Sequence, residues 1–169
     1  QFICCSATIA NPRELSEGLT GREMTIVDND GSPRGSQMFV FWNPPFLQGS
    51  TIDRRSANTE ARWLMTSLMQ ARVQTIGFVR ARSTAEVIYR YCQEDLSRIS
   101  PKMAQSIRAY RGGYLPSERR EIERMLFEGE LLGVISTNAL ELGIDIGGLD
   151  AALVVGYPGS IASMWQQLS

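Results

Sequence analysis

With 169 residues, 43% hydrophobic and 21% charged, the chain has the composition of one globular domain, or of one domain with a piece of its neighbour, which excludes disorder as the default. A net charge of -1 removes any global nucleic-acid signature. Cys4, Cys5 and Cys92 form no Cys-x-x-Cys and no histidine is present, which excludes a local zinc site and histidine-based acid-base chemistry.

The distribution of charge says more than its sum. From Arg72 to Arg124 basic residues outnumber acidic ones, whereas from Met125 onward every charged residue is acidic. The basic set is arginine throughout apart from Lys102, and arginine suits bidentate phosphate contacts. No apolar run approaches the roughly 18 residues that span a membrane. With neither a disulfide framework nor a secretory segment, the expected location is cytoplasmic (nucleoid-associated in a bacterium), or nuclear in a eukaryote.

Phe2 to Cys5 reads as a short strand ending in the hydroxyls of Ser6 and Thr8. Asn11 and Pro12 predict a helix start leading through Arg13 to Leu19, closed by Gly21. Glu23 to Val27 alternates like a strand, and Asn29 to Gly35 is dense in turn residues, so a lobe boundary or linker is expected over residues 22–36. Gln37 to Trp42 is β-prone and is stopped by Pro44 and Pro45. The loop from Phe46 to Arg55 is expected to be mobile.

Ala57, Ala61, Leu64, Met65 and Leu68 recur at helical spacing to about Ala71. A buried strand is predicted over Thr75 to Val79, then a helix capped by Ser83 or Thr84 with Ala85, Ile88, Cys92 and Leu96 on its apolar face. Ser106 to Tyr110 reads as the next strand, ending at Gly112 and Gly113. Pro116 opens a helix with Ile122, Met125 and Leu126 as its stripe and Gly129 at its end. The apolar run Leu131 to Ile135 then delivers Ser136 and Thr137 to a strand end, a Gly143-x-Asp145 turn presents a carboxylate, and Ala151 to Val155 supplies one more strand. A helix from about Ile161 through Trp165 closes the series. Strand and helix alternate from Ala57 onward, which predicts an α/β fold with a mostly parallel sheet covered by helices on both faces. In such sheets ligands sit in the loops at the carboxyl ends of the strands, where glycine-freed amides can meet phosphate oxygens.

Four stretches in order, Ser6-Ala7-Thr8, Thr75 to Arg80, Tyr110 to Gly113 with Glu118-Arg119-Arg120, and Ser136 to Asp145, resemble motifs of superfamily 2 helicases. Ser6 to Pro12, Asp28 to Gly35, Trp42 to Pro45 and Gly156 to Ser160 with Trp165-Gln166-Gln167 look like the bacterial MrfA-type DNA-repair helicases, which are DEAD/DEAH-like enzymes usually carrying a cysteine-rich domain. The resemblance covers essentially the whole chain. It implies two RecA-like lobes with ATP between them and a single strand crossing both. Residues 1–21 would be the tail of the first lobe, 22–36 a linker, and 37–169 the second lobe. Ser6 and Thr8 would couple ATP state to lobe closure. Gly143 and Asp145 would approach ATP, with Arg80, Arg82, Gly112, Gly113, Arg119 and Thr137 on the backbone of single-stranded DNA, or of a duplex with a single-stranded tail. Polarity would be 3′ to 5′.

The chain departs from that pattern in ways that matter. No G-x-x-x-x-G-K-[ST] loop and no Asp-Glu-x-His box is present, so the groups for the outer phosphates and for Mg2+ would lie in the missing N-terminal lobe, and no catalytic residue is expected here. The arginines of the final motif would follow Ser169. This chain alone is expected not to hydrolyse ATP. The rival reading is a RecA-like module that binds nucleic acid or protein without turnover. A Rossmann-type small-molecule enzyme lacks its G-x-G-x-x-G.

Overall fold

The computed structural model describes residues 1–6, 8–29, 31, 35–110, 112–137 and 148–168. They fall into two compact units, Gln1–Asn43 and Pro44–Ser169.

Among the described residues of the first unit there is one helix, α1 (Pro12–Thr20), and no strand. Pro12 stands at the helix start and Gly21 closes it at φ 67, as the sequence predicts, although Asn11 donates its side-chain amide to Glu14 Oε2 (3.0 Å) instead of capping the helix. The three β-prone runs, Phe2 to Cys5, Glu23 to Val27 and Gln37 to Trp42, are not strands. A strand requires a neighbour to complete its ladder, and these runs expose Ile3, Val27 and Phe41 without pairing to one another.

In the second unit the loop expected to be mobile is cross-tied. Arg54 donates to the Pro44 carbonyl at 2.6 Å and its guanidinium lies 3.8 Å from the Phe46 ring centroid, while Leu47 N–H donates to Asp53 O at 2.8 Å. Then come α2 (Ala57–Gln70), β1 (Thr75–Phe78), α3 (Arg82–Ile99), α4 (Pro101–Gln105), β2 (Ile107–Tyr110), α5 (Pro116–Phe127), β3 (Gly133–Ser136), β4 (Ala151–Val154) and α6 (Ile161–Leu168). Ser56 caps α2 by accepting from Thr59 N–H. The cap of α3 is Ala81, two residues before Ser83 and three before Thr84, because extended backbone at Ala81 already lets its carbonyl accept from Ala85 N–H at 3.1 Å.

The four strands form one parallel sheet in the order β2-β3-β1-β4. Alternation along each strand sorts side chains to two faces. Ile107 and Ile135 meet Met65 and Met69 of α2 and Ile88, Cys92 and Leu96 of α3. Ile76, Phe78, Tyr110 and Val134 meet Leu126 of α5, with Ile122 and Met125 packed alongside. Helices thus cover both faces, as expected. Gly133 makes room where α2 lies on the sheet: a β-carbon there would come 2.6 Å from Met69 Sδ, so the methionine thioether would have to shift. Arg62 of α2 grips Asp95 of α3 through two hydrogen bonds of 2.5 Å, and that bond holds the Asp95 carboxyl below its ordinary value.

Candidate nucleic-acid interface

The strands end level. Phe78, Ser136, Tyr110 and Val154 stand in one register across the sheet. Whatever follows them therefore shares one rim, and that rim gathers most of the residues singled out in the sequence. Arg80 lies just beyond β1, Gly112 and Gly113 beyond β2, and Thr137 beyond β3. Arg82 is the first residue of α3 and Arg119 lies in the opening turn of α5.

Each position has a local cause. Thr137 follows the fully buried Ser136, whose hydroxyl donates to the Thr137 carbonyl at 2.8 Å while its own carbonyl accepts from Val79 N–H at 2.8 Å. The central strand end is fixed by its neighbours before Thr137 is reached. Gly113 has φ 118, a conformation open to glycine alone. Helix α3 packs on β2 and β3, and this carries Arg82 to the glycine pair: a β-carbon at Gly112 would lie 3.3 Å from Arg82 Nη2. Residues 30 positions apart in sequence are thus adjacent in space, an encounter that spacing alone could not reveal.

Behind Arg119 stands a buried polar pair that the sequence reading did not single out. The Tyr110 hydroxyl, on a residue 2% exposed, donates to Glu123 Oε1 at 2.7 Å. Burial first, and then Glu123, push its pKa up to about 12, while the neighbouring Arg119 guanidinium acts in the opposite direction.

Ser6 and Thr8 belong to the first unit; Ser6 is exposed, and Thr8 Oγ1 is enclosed without a hydrogen-bond partner among the described residues. Gly143 and Asp145 lie outside the described residues. No cluster of three or more acidic or cysteine side chains able to hold a metal ion occurs among the described residues, and no described helix is long and apolar enough to cross a membrane.

Chemically, the described residues of the rim offer guanidinium groups and one hydroxyl beside a glycine pair, a set of donors suited to oxyanions.

Known proteins share this fold. Residues 60–169 match the family model of the helicase conserved C-terminal domain. The chain is 55% identical over 167 residues to the uncharacterized ATP-dependent helicase YprA of Bacillus subtilis, covering 98% of this chain and 22% of that protein. Superposition on the DUF1998 helicase MrfA, in a crystal structure bound to DNA and AMPPNP, gives a TM-score of 0.87 at 53% identity over 96% of this chain and 22% of that one. The Mycobacterium smegmatis helicase Lhr bound to ssDNA and AMP-PNP gives 0.75 at 29% identity, covering 96% of this chain and 21% of that one. The chain spans about a fifth of the length of the relatives it matches. With a family model matching residues 60–169, the chain belongs to the helicase conserved C-terminal domain family.

Proposed function

We propose that this chain is the C-terminal RecA-like lobe of an ATP-dependent DNA helicase, 3′ to 5′ in polarity and acting in DNA repair, whose strand-end rim grips the phosphate backbone of one DNA strand. The observation that carries the reading is the convergence of Arg80, Arg82, Gly112, Gly113 and Thr137 on the level carboxyl ends of adjacent parallel strands. Similarity to helicases solved with DNA and with a nucleotide analogue supports both the polymer and the fuel.

In this reading residues 1–21 end the first lobe, 22–36 link, and 37–169 form the second lobe, with the first lobe as obligatory partner and the cytoplasm or nucleus as location. Thr137 donates its hydroxyl to one phosphate, Arg82 and Arg119 neutralise its neighbours, and the amides around Gly113 complete the cradle. Contacts to phosphate carry no sequence information, so binding is sequence-tolerant and strongly salt-dependent. Gly143 and Asp145 approach the nucleotide, Ser6 and Thr8 transmit lobe closure, and the Mg2+ ligands belong to the first lobe. ATP, when bound between the lobes, supplies the free energy for their opening and closing.

The test is ATPase turnover of the full-length protein with and without single-stranded DNA, for wild type and Asp145→Ala. DNA-stimulated turnover that collapses in the variant is expected. Salt-sensitive DNA binding by a wild type with no turnover would replace the motor by a binding module.

A further inference from the structure

Beside Arg80 the rim continues into a hollow to which the sequence reading assigns no role. It has a volume of about 130 Å³, well above the ~15 Å³ that one water requires, and lies where β1 and β4 end. Phe78 and Arg80 at the end of β1, Val154 and Gly156 at the end of β4, and Ser163 and Gln167 of α6 line it. Its chemistry is that of the rim: a cation, a hydroxyl, an amide, and backbone opened by Gly156 at φ 81. Among the described residues no acidic side chain lines it, and a guanidinium beside a hydroxyl suits an anion.

Its position narrows the choice of anion. The sheet order β2-β3-β1-β4 places the glycine pair, Thr137, Arg80 and then this hollow on successive strand ends. Adjacent strands lie about 4.8 Å apart, so the four ends span about 14 Å in one line across the sheet. A chain of phosphates laid along the first three ends runs on into the fourth.

We infer that this hollow seats one further backbone phosphate of the bound DNA strand, held by Arg80 from β1 and by Ser163 from α6. The inference rests on the phosphate-grip reading of the rim and adds α6 to it. Ser163 is well placed for the role because its own N–H is already engaged by Ser160 Oγ at 3.0 Å, which fixes the start of α6 and leaves the Ser163 hydroxyl as the variable donor.

The experiment measures single-stranded DNA affinity of the full-length protein by fluorescence anisotropy across a salt series, for wild type, Ser163→Ala, Ser163→Asp, Arg80→Ala and Thr137→Val. Ser163→Asp is expected to weaken binding about tenfold and Ser163→Ala about threefold. The slope of log K against log salt should fall by about 0.7 in Arg80→Ala, the share of one single-strand phosphate. An oligonucleotide with one phosphate replaced by an uncharged methylphosphonate, moved along the strand, should show one position that weakens wild type but not Arg80→Ala. If both Ser163 variants bind as wild type does while Thr137→Val is weakened, the hollow is no part of the track and the grip reading survives. If Thr137→Val and Arg80→Ala also bind normally, the grip reading itself falls. A Ser163→Asp protein that loses affinity for ATP while keeping its affinity for DNA overturns the inference in favour of nucleotide phosphate.

Discussion

The two ends of the sheet are built from different chemistry. At the amino ends of the strands Gln74 acts as a suture. Its side-chain amide donates to the carbonyls of Leu126 (2.7 Å) and Leu131 (2.8 Å), its N–H donates to Asp150 Oδ2 at 2.9 Å, and its carbonyl accepts from Asp150 N–H at 2.9 Å. At the carboxyl ends the donors point outward: Arg80, Arg82 and Arg119 are exposed, and Gly113 holds its amides in a conformation no other residue would choose. The first end is satisfied internally and so contributes stability. The second keeps its donors for a ligand and so contributes binding. Substitutions at the two ends should accordingly separate into changes of folding and changes of affinity.

The largest effect is expected at Gly133→Val, in the row where the strands begin. The added side chain drives into Met69 and Met65, and overpacking of a fully buried site should lower unfolding free energy by about 3 kcal/mol, read as a shift of the urea midpoint. Gln74→Leu comes next. It removes the side-chain donor shared by the Leu126 and Leu131 carbonyls, for a loss of about 2 kcal/mol in the same assay and no change in DNA affinity. A loss of affinity there would break the comparison.

On the opposite rim, Thr137→Val keeps the shape of a residue 6% exposed and removes its hydroxyl. DNA binding should fall about tenfold while the urea midpoint moves little. Arg82→Ala should weaken binding about threefold and flatten the salt slope by about 0.7, again without unfolding.

The smallest effect concerns pH. The hydrogen bond from Arg62 holds the folded pKa of Asp95 below its ordinary value, so the stability that Asp95 contributes is whole above about pH 4 and is lost as pH falls through the lower folded value. Asp95→Asn should remove that acid limb of the stability profile.

How much of this was legible in the chain depended on whether the signal was local. β1 and β3 are short apolar runs bounded by polar or turn residues, and the stripe Ala85, Ile88, Cys92 and Leu96 announces α3. Helix α4 escaped because it follows α3 after a single residue, and Pro101 there reads as a stop while serving as a start. Residues 1–43 misled the reading in the other direction. Their β-prone runs carry the composition of strands, and composition cannot say where the ladder partner is. At the rim, types of residue were readable but meetings were not. Arg82 reaches Gly112 only through the packing of α3 across the sheet, and Glu123 finds Tyr110 only when α5 folds back on β2.

The level strand ends have a mechanical corollary. Each strand is laddered to its neighbours, and a slip of one residue is about 3.3 Å and turns every side chain to the opposite face. The teeth of this comb cannot be re-spaced one at a time without breaking the ladder. In the proposed motor, the strand-end donors of this lobe would therefore move together, their spacing unchanged.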